Sequence, residues 1–379
     1  MTRKILYLID SLGTGGAERG LALTLRYLDR RRFEPEVAYL WPPSGGAEAI
    51  RGMGITVHYL GASRGPGALM AVPKVVRLLR KGGFDAVHTQ VVWASIVGRI
   101  AGKLSGVKVI SHVVSTDPSN THLTESPRGV ARKARMVDAL DEVTGRFLTD
   151  RFVAITEAVS RNPIRGRSWK RDKFSVVLRG QDLEALAHGA VLEPGPAIQD
   201  PGSPSLLAVG QIRTAKGHGY LLEAMPRVLM EYPNAKLLIA GGGHLAGELA
   251  NKAASLGDRV ELLGVRDDVP SLMARCDVFV FPSLWEGQGN ALIEAMAVGG
   301  PIVATRIPAV EETLSDGDTA VLVPPGDPAA LAEGILRLLG DPAGSAEMAE
   351  GAAHAAARFD IHRTTRDLET VYDKVMPGG

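Results

Sequence analysis

Two glutamates, Glu286 and Glu294, lie in the stretch of the chain best suited to hold a ligand. Residues 277–281 (DVFVF) are apolar and rich in β-branched and aromatic side chains, which predicts a buried strand. Pro, Ser and Gly in residues 282–290 predict a turn, and residues 291–298 predict a helix. Such a turn can offer carboxylates to ligand hydroxyls and free backbone N–H groups to anions. An ordinary strand–helix unit with two solvated glutamates remains the alternative at this point.

Two further loops carry groups that suit a phosphate-bearing ligand. Gly15 and Gly16 precede a predicted helix over residues 17–28, and glycine lets a backbone approach a diphosphate closely. Arg213 and Lys216 lie in a loop after another predicted strand. Cationic side chains there would stabilise charge that builds on a leaving phosphate. For the glycine pair, a tight strand-to-helix turn is an equal alternative.

Two histidines, His88 and His112, stand at or next to the ends of predicted strands in the first half of the chain. In parallel sheets, ligands bind beyond the carboxyl ends of the strands. A histidine at such a place can donate a hydrogen bond to a ligand oxygen or transfer a proton. A buried structural histidine is as good an interpretation of each.

The order of elements predicts an α/β protein with two doubly wound parallel sheets. Short apolar strands alternate with amphipathic helical segments along the chain, and this pattern indicates right-handed βαβ units. A stretch without periodicity, residues 187–204, is rich in Pro, Gly and Ala and predicts an interdomain linker. We therefore expect domains over residues 1–186 and 205–359, with a helix over about 360–379 that returns to the first domain.

Composition limits the class of protein. The chain has 379 residues and a single cysteine, Cys276, so no internal disulfide can form. The N-terminal apolar run is too short for a signal sequence, and no uninterrupted run approaches the length of a membrane span. Residues 1–190 carry 29 Lys and Arg against 17 Asp and Glu, whereas the rest carries 14 against 25. The basic half favours an anionic partner or is a solvated surface.

The two glutamates are separated by seven residues, with EGQG beginning at the first and EAMA at the second, and this pattern resembles the signature of retaining glycosyltransferases of family 4. Three other segments are also similar to this family: G-x-P-I-V-A over residues 299–304, GGAER after the first strand, and the late LVPPGD. The resemblance implies the GT-B fold: two Rossmann-like domains facing each other across a cleft. It implies that Glu286 holds sugar hydroxyls and Glu294 holds a ribose. The turn amides of Gly287, Gly289 and Asn290 would support the sugar and its phosphates.

The same resemblance assigns the other loops. Lys216 and a preceding arginine would neutralise the donor diphosphate, but Gln211, after Gly210, occupies the usual arginine position and Arg213 is the candidate substitute. Val265 and Arg266 would hold the base through backbone groups, and Gly15 and Gly16 would face the phosphates. His112 would stand beside the donor sugar, although Val114 is the alternative alignment. Arg179 replaces an asparagine usual in the family.

The resemblance therefore implies transfer of a hexose-type sugar, with retention, from a UDP-sugar or GDP-sugar to a hydroxyl acceptor. It implies no cofactor and no metal ion. The basic first half leaves a lipid-linked or anionic acceptor open, and with it peripheral membrane contact through Lys74, Arg77, Arg80, Lys81 and residues 128–135. We expect no nucleic-acid partner, and a cytoplasmic location that includes the inner face of the membrane.

Three alternatives remain open. A hydrolase or an epimerase could use the same fold, and a non-catalytic protein that binds nucleotide sugars is kept open by Gln211. A dinucleotide oxidoreductase is suggested by Gly241, Gly243 and Gly247, with Glu261 about 20 residues on, but the glycine spacing differs from the dinucleotide fingerprint.

Overall fold

The structure is a computed structural model that describes residues 2–13, 15–114, 128–161, 168–192 and 203–377. The contacts divide the chain into two compact units. Unit 1 comprises Met1–Gly180 together with Ile361–Gly379, and unit 2 comprises Gln181–Asp360.

Unit 1 contains, within the described residues, a seven-stranded parallel sheet in the order β3-β2-β1-β4-β5-β6-β7. The chain first builds the sheet outward from β1 to β3 and then returns to place β4 on the other side of β1. The direction of winding therefore reverses between β1 and β4. Ligands of doubly wound sheets bind at this reversal, beyond the carboxyl ends of the strands. Its strands are β1 (Arg3–Ile9), β2 (Phe33–Tyr39), β3 (Val57–Tyr59), β4 (Ala86–Gln90), β5 (Lys108–Val113), β6 (Arg151–Ala154) and β7 (Phe174–Val176). Its helices are α1 (Gly16–Tyr27), α2 (Gly46–Gly52), α3 (Val72–Gly82), α4 (Val92–Ser105), α5 (Arg128–Leu148), α6 (Glu157–Arg161) and the C-terminal helix Ile361–Val375.

Unit 2 repeats this arrangement with six described strands in the order β10-β9-β8-β11-β12-β13, and its reversal lies between β8 and β11. Its strands are β8 (Ser205–Val209), β9 (Lys236–Ala240), β10 (Val260–Gly264), β11 (Val278–Phe281), β12 (Ile302–Thr305) and β13 (Val321–Val323). Its helices are α7 (Leu183–Leu192), α8 (His218–Glu231), α9 (Ala246–Ala253), α10 (Val269–Arg275), α11 (Asn290–Val298), α12 (Pro308–Glu311), α13 (Pro328–Gly340) and α14 (Pro342–Ala356). In chain order the C-terminal helix is α15.

The cores follow from the apolar strands. In unit 2, buried side chains from β8, β9, β11 and β12 pack against α8 and α13. In unit 1, side chains of β1 and β2 pack against α1 on one face, and those of β1 and β4 pack against α3 and α4 on the other. The prediction of two doubly wound parallel sheets is confirmed.

Helix α15 is fixed to unit 1 by apolar contacts and by ion pairs. Leu368, Val371 and Tyr372 are buried in the same cluster as β1. At its rim, Asp373 pairs with Arg3 at 2.5 Å and with Arg32 at 2.6 Å. The half-exposed ion pairs contribute little energy individually, so the buried apolar face supplies most of the attachment.

The boundary between the units differs from the one expected. It lies at Gly180, and residues that were assigned to the linker form the second half of α7. This helix packs against α10 and α11 of unit 2. Alanine and leucine in residues 183–192 favour a helix, and that preference outweighs the low periodicity of the sequence. The remainder of the predicted linker, residues 193–202, lies outside the described residues.

Candidate active site

The central feature of unit 2 is an ion pair between Lys216 Nζ and Glu286 Oε1. Lys216 follows β8 and Glu286 follows β11, so the reversal of the sheet brings their loops together. The Ser283 hydroxyl also donates to Glu286 Oε1, at 2.9 Å. The side chains are only 15% and 10% exposed, so their interaction is stronger than that of a surface pair. Two residues predicted to share a ligand are thus adjacent.

Backbone contacts lock the two loops to each other. The Leu284 N–H donates to the Ala215 carbonyl at 2.8 Å. Gly217 has φ of +66°, and a Cβ atom there would overlap the Pro282 carbonyl. The Thr305 hydroxyl donates to the Ser283 carbonyl from the neighbouring strand end. Only glycine meets both conditions at position 217, so this residue determines the approach of Lys216 to Glu286.

Arg213 and Gln211 differ in their surroundings. Gln211 is exposed, whereas Arg213 is half-buried. Among the described residues, the Arg213 Nε atom is buried and has no hydrogen-bond partner. A buried donor without a partner is unfavourable, and it indicates a group that is kept available for an incoming acceptor. Of these two residues only Arg213 is cationic, and it is the candidate to neutralise a diphosphate in place of the arginine expected at position 211.

The glycines after β9 serve the packing of loops. A Cβ atom at Gly241 would overlap the Gly210 carbonyl, and one at Gly243 would overlap the Ile212 carbonyl. The Ile212 N–H donates to the Gly242 carbonyl at 2.9 Å, which fixes the loop before Arg213. This packing accounts for Gly241 and Gly243, whereas a Cβ atom at Gly247, the third glycine of the spacing that suggested a dinucleotide fingerprint, would meet nothing within 4 Å.

Glu294 can face the same ligand as Glu286 only if α11 begins near Asn290, and the turn before α11 meets this condition. Helix α11 begins at Asn290, and Gly289, its N-cap, has φ of +85°. A Cβ atom at Gly289 would lie 2.9 Å from Phe281 Cζ, so the glycine also allows the turn to fold over the strand end. Gly287 is buried beside it, and Glu294 is half-buried in the second turn of the helix.

The loop after β10 lies next to the glycine loop. The Gly241 N–H donates to the Gly264 carbonyl at 2.6 Å. Val265 is 75% exposed, and Arg266 forms two hydrogen bonds with Asp268, at 2.8 and 2.6 Å. This fork raises the pKa of Arg266 and lowers that of Asp268, chiefly through the side-chain hydrogen bond. The Arg266 side chain is thus committed to Asp268, which leaves backbone groups as the means of contacting a base.

In unit 1, the loop after β1 holds a carboxylate over its glycines. Helix α1 begins at Gly16, and a Cβ atom at Gly15 would lie 2.5 Å from Glu18 Oε2. The Ser11 hydroxyl donates to Glu18 Oε1 at 3.2 Å. Glu18 therefore occupies the helix start, where its charge is stabilised by the helix dipole.

A second carboxyl, that of Asp10, lies at the end of β1. It accepts a hydrogen bond of 2.6 Å from the Ala94 N–H in the first turn of α4. Burial raises the pKa of Asp10 to about 7, although hydrogen bonds from the Ala94 and Trp93 amides lower it in part. Val91, just before α4, is a non-glycine residue with φ of +69°, a conformation that costs free energy. The reversal point of unit 1 thus combines a titratable carboxyl with backbone strain.

The two histidines are brought together inside unit 1. Their rings stack at 5.4 Å with an angle of 9° between their planes. Burial lowers the pKa of His88 to about 3. Burial also lowers the pKa of His112 well below its usual value, and the charges of His88 and Arg179 add to this effect. Because burial lowers both pKa values, both rings are neutral at pH 7. His88 does not end its strand, since β4 continues to Gln90.

Similarity to known proteins agrees with this architecture. Residues 15–180 match the family described as "Glycosyl transferase 4-like domain", and residues 203–341 match "Glycosyl transferases group 1". A phosphatidyl-myo-inositol mannosyltransferase from Mycobacterium leprae is 34% identical over 256 residues, which cover 62% of this chain and 68% of that enzyme. The chain belongs to glycosyltransferase family 4.

Other relatives of this family 4 protein extend the comparison. An Escherichia coli enzyme, UDP-Gal:alpha-D-GlcNAc-diphosphoundecaprenol alpha-1,3-galactosyltransferase, is 30% identical over 240 residues, which cover 61% of this chain and 60% of that enzyme. The crystal structure of Anabaena HepE in complex with UDP-glucose has a TM-score of 0.81 at 23% identity, and covers 98% of this chain and 99% of HepE. The likeness to HepE and to other solved glycosyltransferases supports the GT-B fold.

Several residues around the family 4 motifs were not predicted from the sequence. Ser283 lies only three residues before Glu286, so its hydrogen bond to that carboxylate is local in sequence. Asp10 and Thr305 act through backbone atoms of distant segments. Tyr372 reaches His88 from 284 residues away, and no local pattern announces such a contact. His218, next to Gly217, is buried, and burial lowers its pKa to about 4.

No group of three or more His, Cys, Asp or Glu side chains that could hold a metal ion occurs among the residues that the structure describes. Over the same parts of the chain, every helix is too short or too polar to cross a bilayer.

Proposed function

We propose that this glycosyltransferase moves a hexose-type sugar, with retention, from a UDP-sugar or GDP-sugar to a hydroxyl acceptor. The observation that carries the proposal is the Lys216–Glu286 ion pair at the reversal point of unit 2. A cation and a carboxylate held together there match the two ends of a sugar diphosphate: an anionic leaving group and a ring of hydroxyls.

Donor binding would exchange the partners of this ion pair. The diphosphate takes Lys216, assisted by Arg213, whose buried Nε atom has no partner among the described residues. Glu286 then accepts hydrogen bonds from sugar hydroxyls, and Ser283 keeps its carboxylate oriented. Because Lys216 and Glu286 already neutralise each other, neither charge is buried alone before the donor binds.

The remaining predicted site residues take roles around this pair. Glu294 binds the ribose, and backbone groups near Val265 and Arg266 bind the base. His112 lies beside the sugar. The amides at the start of α11 and α1 bind phosphate oxygens, because helix N-termini favour anions. These amides belong to Gly287, Gly289 and Asn290 at α11 and to Gly15 and Gly16 at α1. The amides of Gly210 and Gln211, in the loop after β8, take the same role.

We propose a front-face reaction without a covalent intermediate. The diphosphate departs from the anomeric carbon, the acceptor hydroxyl attacks from the same face, and its proton passes to the departing phosphate oxygen. No carboxylate acts as a nucleophile. Lys216 and Arg213 supply the cationic stabilisation that a metal ion supplies elsewhere, so we propose that turnover is independent of metal ions.

A lipid-linked acceptor is supported by the surface of unit 1. Met70 is 79% exposed and Leu104 is 58% exposed. The Arg80 guanidinium donates to the Leu104 carbonyl at 2.6 Å, so a basic helix face adjoins an exposed apolar residue. Arg77 and Lys81 on the same helix are also exposed. Basic and apolar groups together suit an anionic membrane surface. The names of the M. leprae and E. coli relatives describe lipid acceptors. We therefore propose peripheral contact with the inner face of the membrane from a cytoplasmic location.

Residues 128–135 are the second basic segment proposed for this surface. Residues 128–135 begin α5, but the side chains of residues 128–134 lie outside the described residues.

Thermal shifts with UDP, GDP, ADP and their sugars test the donor. A ligand present at 100 times its dissociation constant should stabilise the protein by about 2.7 kcal/mol. The active donor is then incubated with a panel of lipid-linked and soluble acceptors, and the anomeric configuration of the product is determined by NMR. Inversion at the anomeric carbon would overturn the mechanism, and the absence of a shift with every nucleotide would overturn the assignment of the donor.

A non-catalytic protein that binds nucleotide sugars is the second candidate, because exposed Gln211 cannot supply the fixed cationic fork of an arginine. Binding of a nucleotide sugar without turnover across the acceptor panel would favour it. Release of free sugar, or a changed sugar, in the absence of acceptor would instead indicate a hydrolase or an epimerase.

A further inference from the structure

A buried series of hydrogen bonds joins the C-terminal helix to the paired histidines of unit 1. The Tyr7 hydroxyl lies 2.7 Å from the Tyr372 hydroxyl, which lies 2.7 Å from His88 Nδ1. All three side chains are fully buried. Tyr372 is carried by α15, an element to which neither the motifs nor the proposed mechanism assigns a task.

The direction of these hydrogen bonds follows from the number of groups that each arrangement satisfies. If Tyr7 donates to Tyr372 and Tyr372 donates to His88 Nδ1, both hydroxyl protons are used and His88 carries its proton on Nε2. Of the polar groups of these three side chains, only this Nε2–H then lacks a partner within the described residues. In the reverse direction the Tyr7 hydroxyl proton and the Nε2 lone pair would both be unpaired. Buried unpaired groups are unfavourable, so the first arrangement is the more stable.

The stacked rings hold further unpaired atoms. Within the described residues, His88 Nε2 and both ring nitrogens of His112 are buried without hydrogen-bond partners. The two residues lie on adjacent strands, β4 and β5, on the face of the sheet that α1 and α15 cover. Arg179 stands on the same side, within 3.1 Å of the place of a Cβ atom on Gly20 of α1. Three unpaired ring atoms in one stack suggest groups reserved for a ligand.

We propose that Tyr372 is a positioning residue for sugar transfer: through its hydrogen bond it fixes the tautomer and the ring plane of His88, and the stacked His88 ring in turn fixes His112. This inference rests on the proposed function, in which His112 lies beside the donor sugar. Tyr7 supports Tyr372 by donating to its oxygen. The C-terminal helix thereby contributes to the site without touching the substrate.

The first experiment measures the tautomer of His88 in the absence of turnover. Protein with 15N-labelled histidine is studied by long-range 1H–15N NMR without any substrate, and the His88 signals are assigned by their loss in His88→Gln. We expect the Nε2–H tautomer in the wild type and in Tyr7→Phe, because Tyr372 still donates to Nδ1 in that variant. In Tyr372→Phe the fixed tautomer should be lost, and His88 should show a mixture of both forms.

Steady-state kinetics then test the consequence with the active donor. Tyr372→Phe should lower kcat about tenfold, a loss of about 1.4 kcal/mol of transition-state stabilisation, while the KM for the donor stays within twofold. Tyr39→Phe removes the hydroxyl of another buried tyrosine of unit 1, whose ring stacks on Tyr59, and is the matched control; its kcat should equal that of the wild type. A purely structural effect would lower the melting temperature of both variants without this division between kcat and KM.

The outcomes are distinguishable. An Nδ1–H tautomer of His88 in the wild type, or an unchanged tautomer in Tyr372→Phe, would overturn the inference whatever the enzyme does. A changed tautomer with unchanged kcat would overturn the role in catalysis. Absence of turnover in the wild type with every donor would instead count against the proposed function, while the NMR result would still decide the hydrogen-bond arrangement.

Discussion

The neutral buried His88 should make unit 1 sensitive to acid, and the size of the effect can be worked out. Its pKa is about 3 in the folded protein, against about 6.5 in an unfolded chain. The pKa is therefore lowered on folding, and the unfolded state binds the extra proton below pH 6.5. Stability from this group is complete above pH 6.5 and is lost as the pH falls toward 3. Between pH 7.5 and 5.0 the loss should be about 2 kcal/mol.

Replacing His88 with glutamine should remove this share of the pH dependence. Glutamine is neutral throughout the range and can still accept a hydrogen bond from Tyr372. We expect His88→Gln to be less stable than the wild type at pH 7.5, but to lose about 2 kcal/mol less on acidification to pH 5.0. His112 titrates in the same direction, so the variant keeps part of the acid sensitivity.

Urea denaturation followed by tryptophan fluorescence provides the measurement. The chain has four tryptophans, and Trp285 alone belongs to unit 2. A Trp285→Phe background therefore makes the fluorescence report on unit 1. As a control, both proteins should respond equally between pH 9.0 and 7.5, where neither state of His88 is protonated. If the variant and the wild type lose the same stability between pH 7.5 and 5.0, His88 is not a neutral buried group and the reasoning fails.

Three other changes test the packing and the site. Gly217→Ala should destabilise unit 2 by at least about 1–2 kcal/mol, because position 217 has a positive φ and an added Cβ atom would overlap the Pro282 carbonyl. Gly219→Ala is the control: its Cβ atom would lie in open space within α8 and should stabilise by about 0.5–1 kcal/mol. Urea denaturation of the two variants provides the comparison. Arg99→Ala should cost about 3–5 kcal/mol, since it removes the guanidinium that pairs with the buried Asp141 carboxylate at 2.6 Å, and a loss of stability well under 1 kcal/mol would contradict this. Glu294→Ala should abolish nucleotide binding in calorimetry, whereas Glu286→Ala should reduce turnover more than nucleotide affinity; wild-type behaviour of both would refute their assignment.

The fold could be predicted from local patterns because each unit is built from repeated strand–helix pairs. Apolar runs such as residues 205–209 and 277–281 indicate strands directly, and alternation with helices then determines a parallel sheet. The linker prediction failed at α7 because its contacts are with α10 and α11, which a local reading of residues 183–192 cannot include. Packing against α10 and α11, together with the helix preference of alanine and leucine, decided the structure of a segment whose own periodicity was weak.

The site was predictable where side chain and loop belong to one motif, and not where long-range contacts complete it. Glu286 and Lys216 could be singled out because each lies in a glycine-containing loop after a strand, and Glu294 because it lies in the helix that follows the Glu286 turn. Tyr372 could not, since only the folded sheet brings α15 under β4. The glycines after β9 were ambiguous for a similar reason: their spacing fits a ligand loop, but their actual neighbours are the carbonyls of another loop.

The ion pair of unit 2 shows how the fold prepares a site for an anionic, hydroxyl-rich ligand. Residues 191–379 carry an excess of negative charge, which by itself would repel a diphosphate. Lys216 and Arg213 overcome this locally because both lie in the loop after β8, directly at the reversal of the sheet. With Glu286 neutralising Lys216 until a ligand arrives, neither charge has to be buried alone, which would cost several kcal/mol. A sugar diphosphate satisfies both charges at once, whereas a free sugar or an inorganic phosphate can satisfy only one, so the pair itself favours the intact donor.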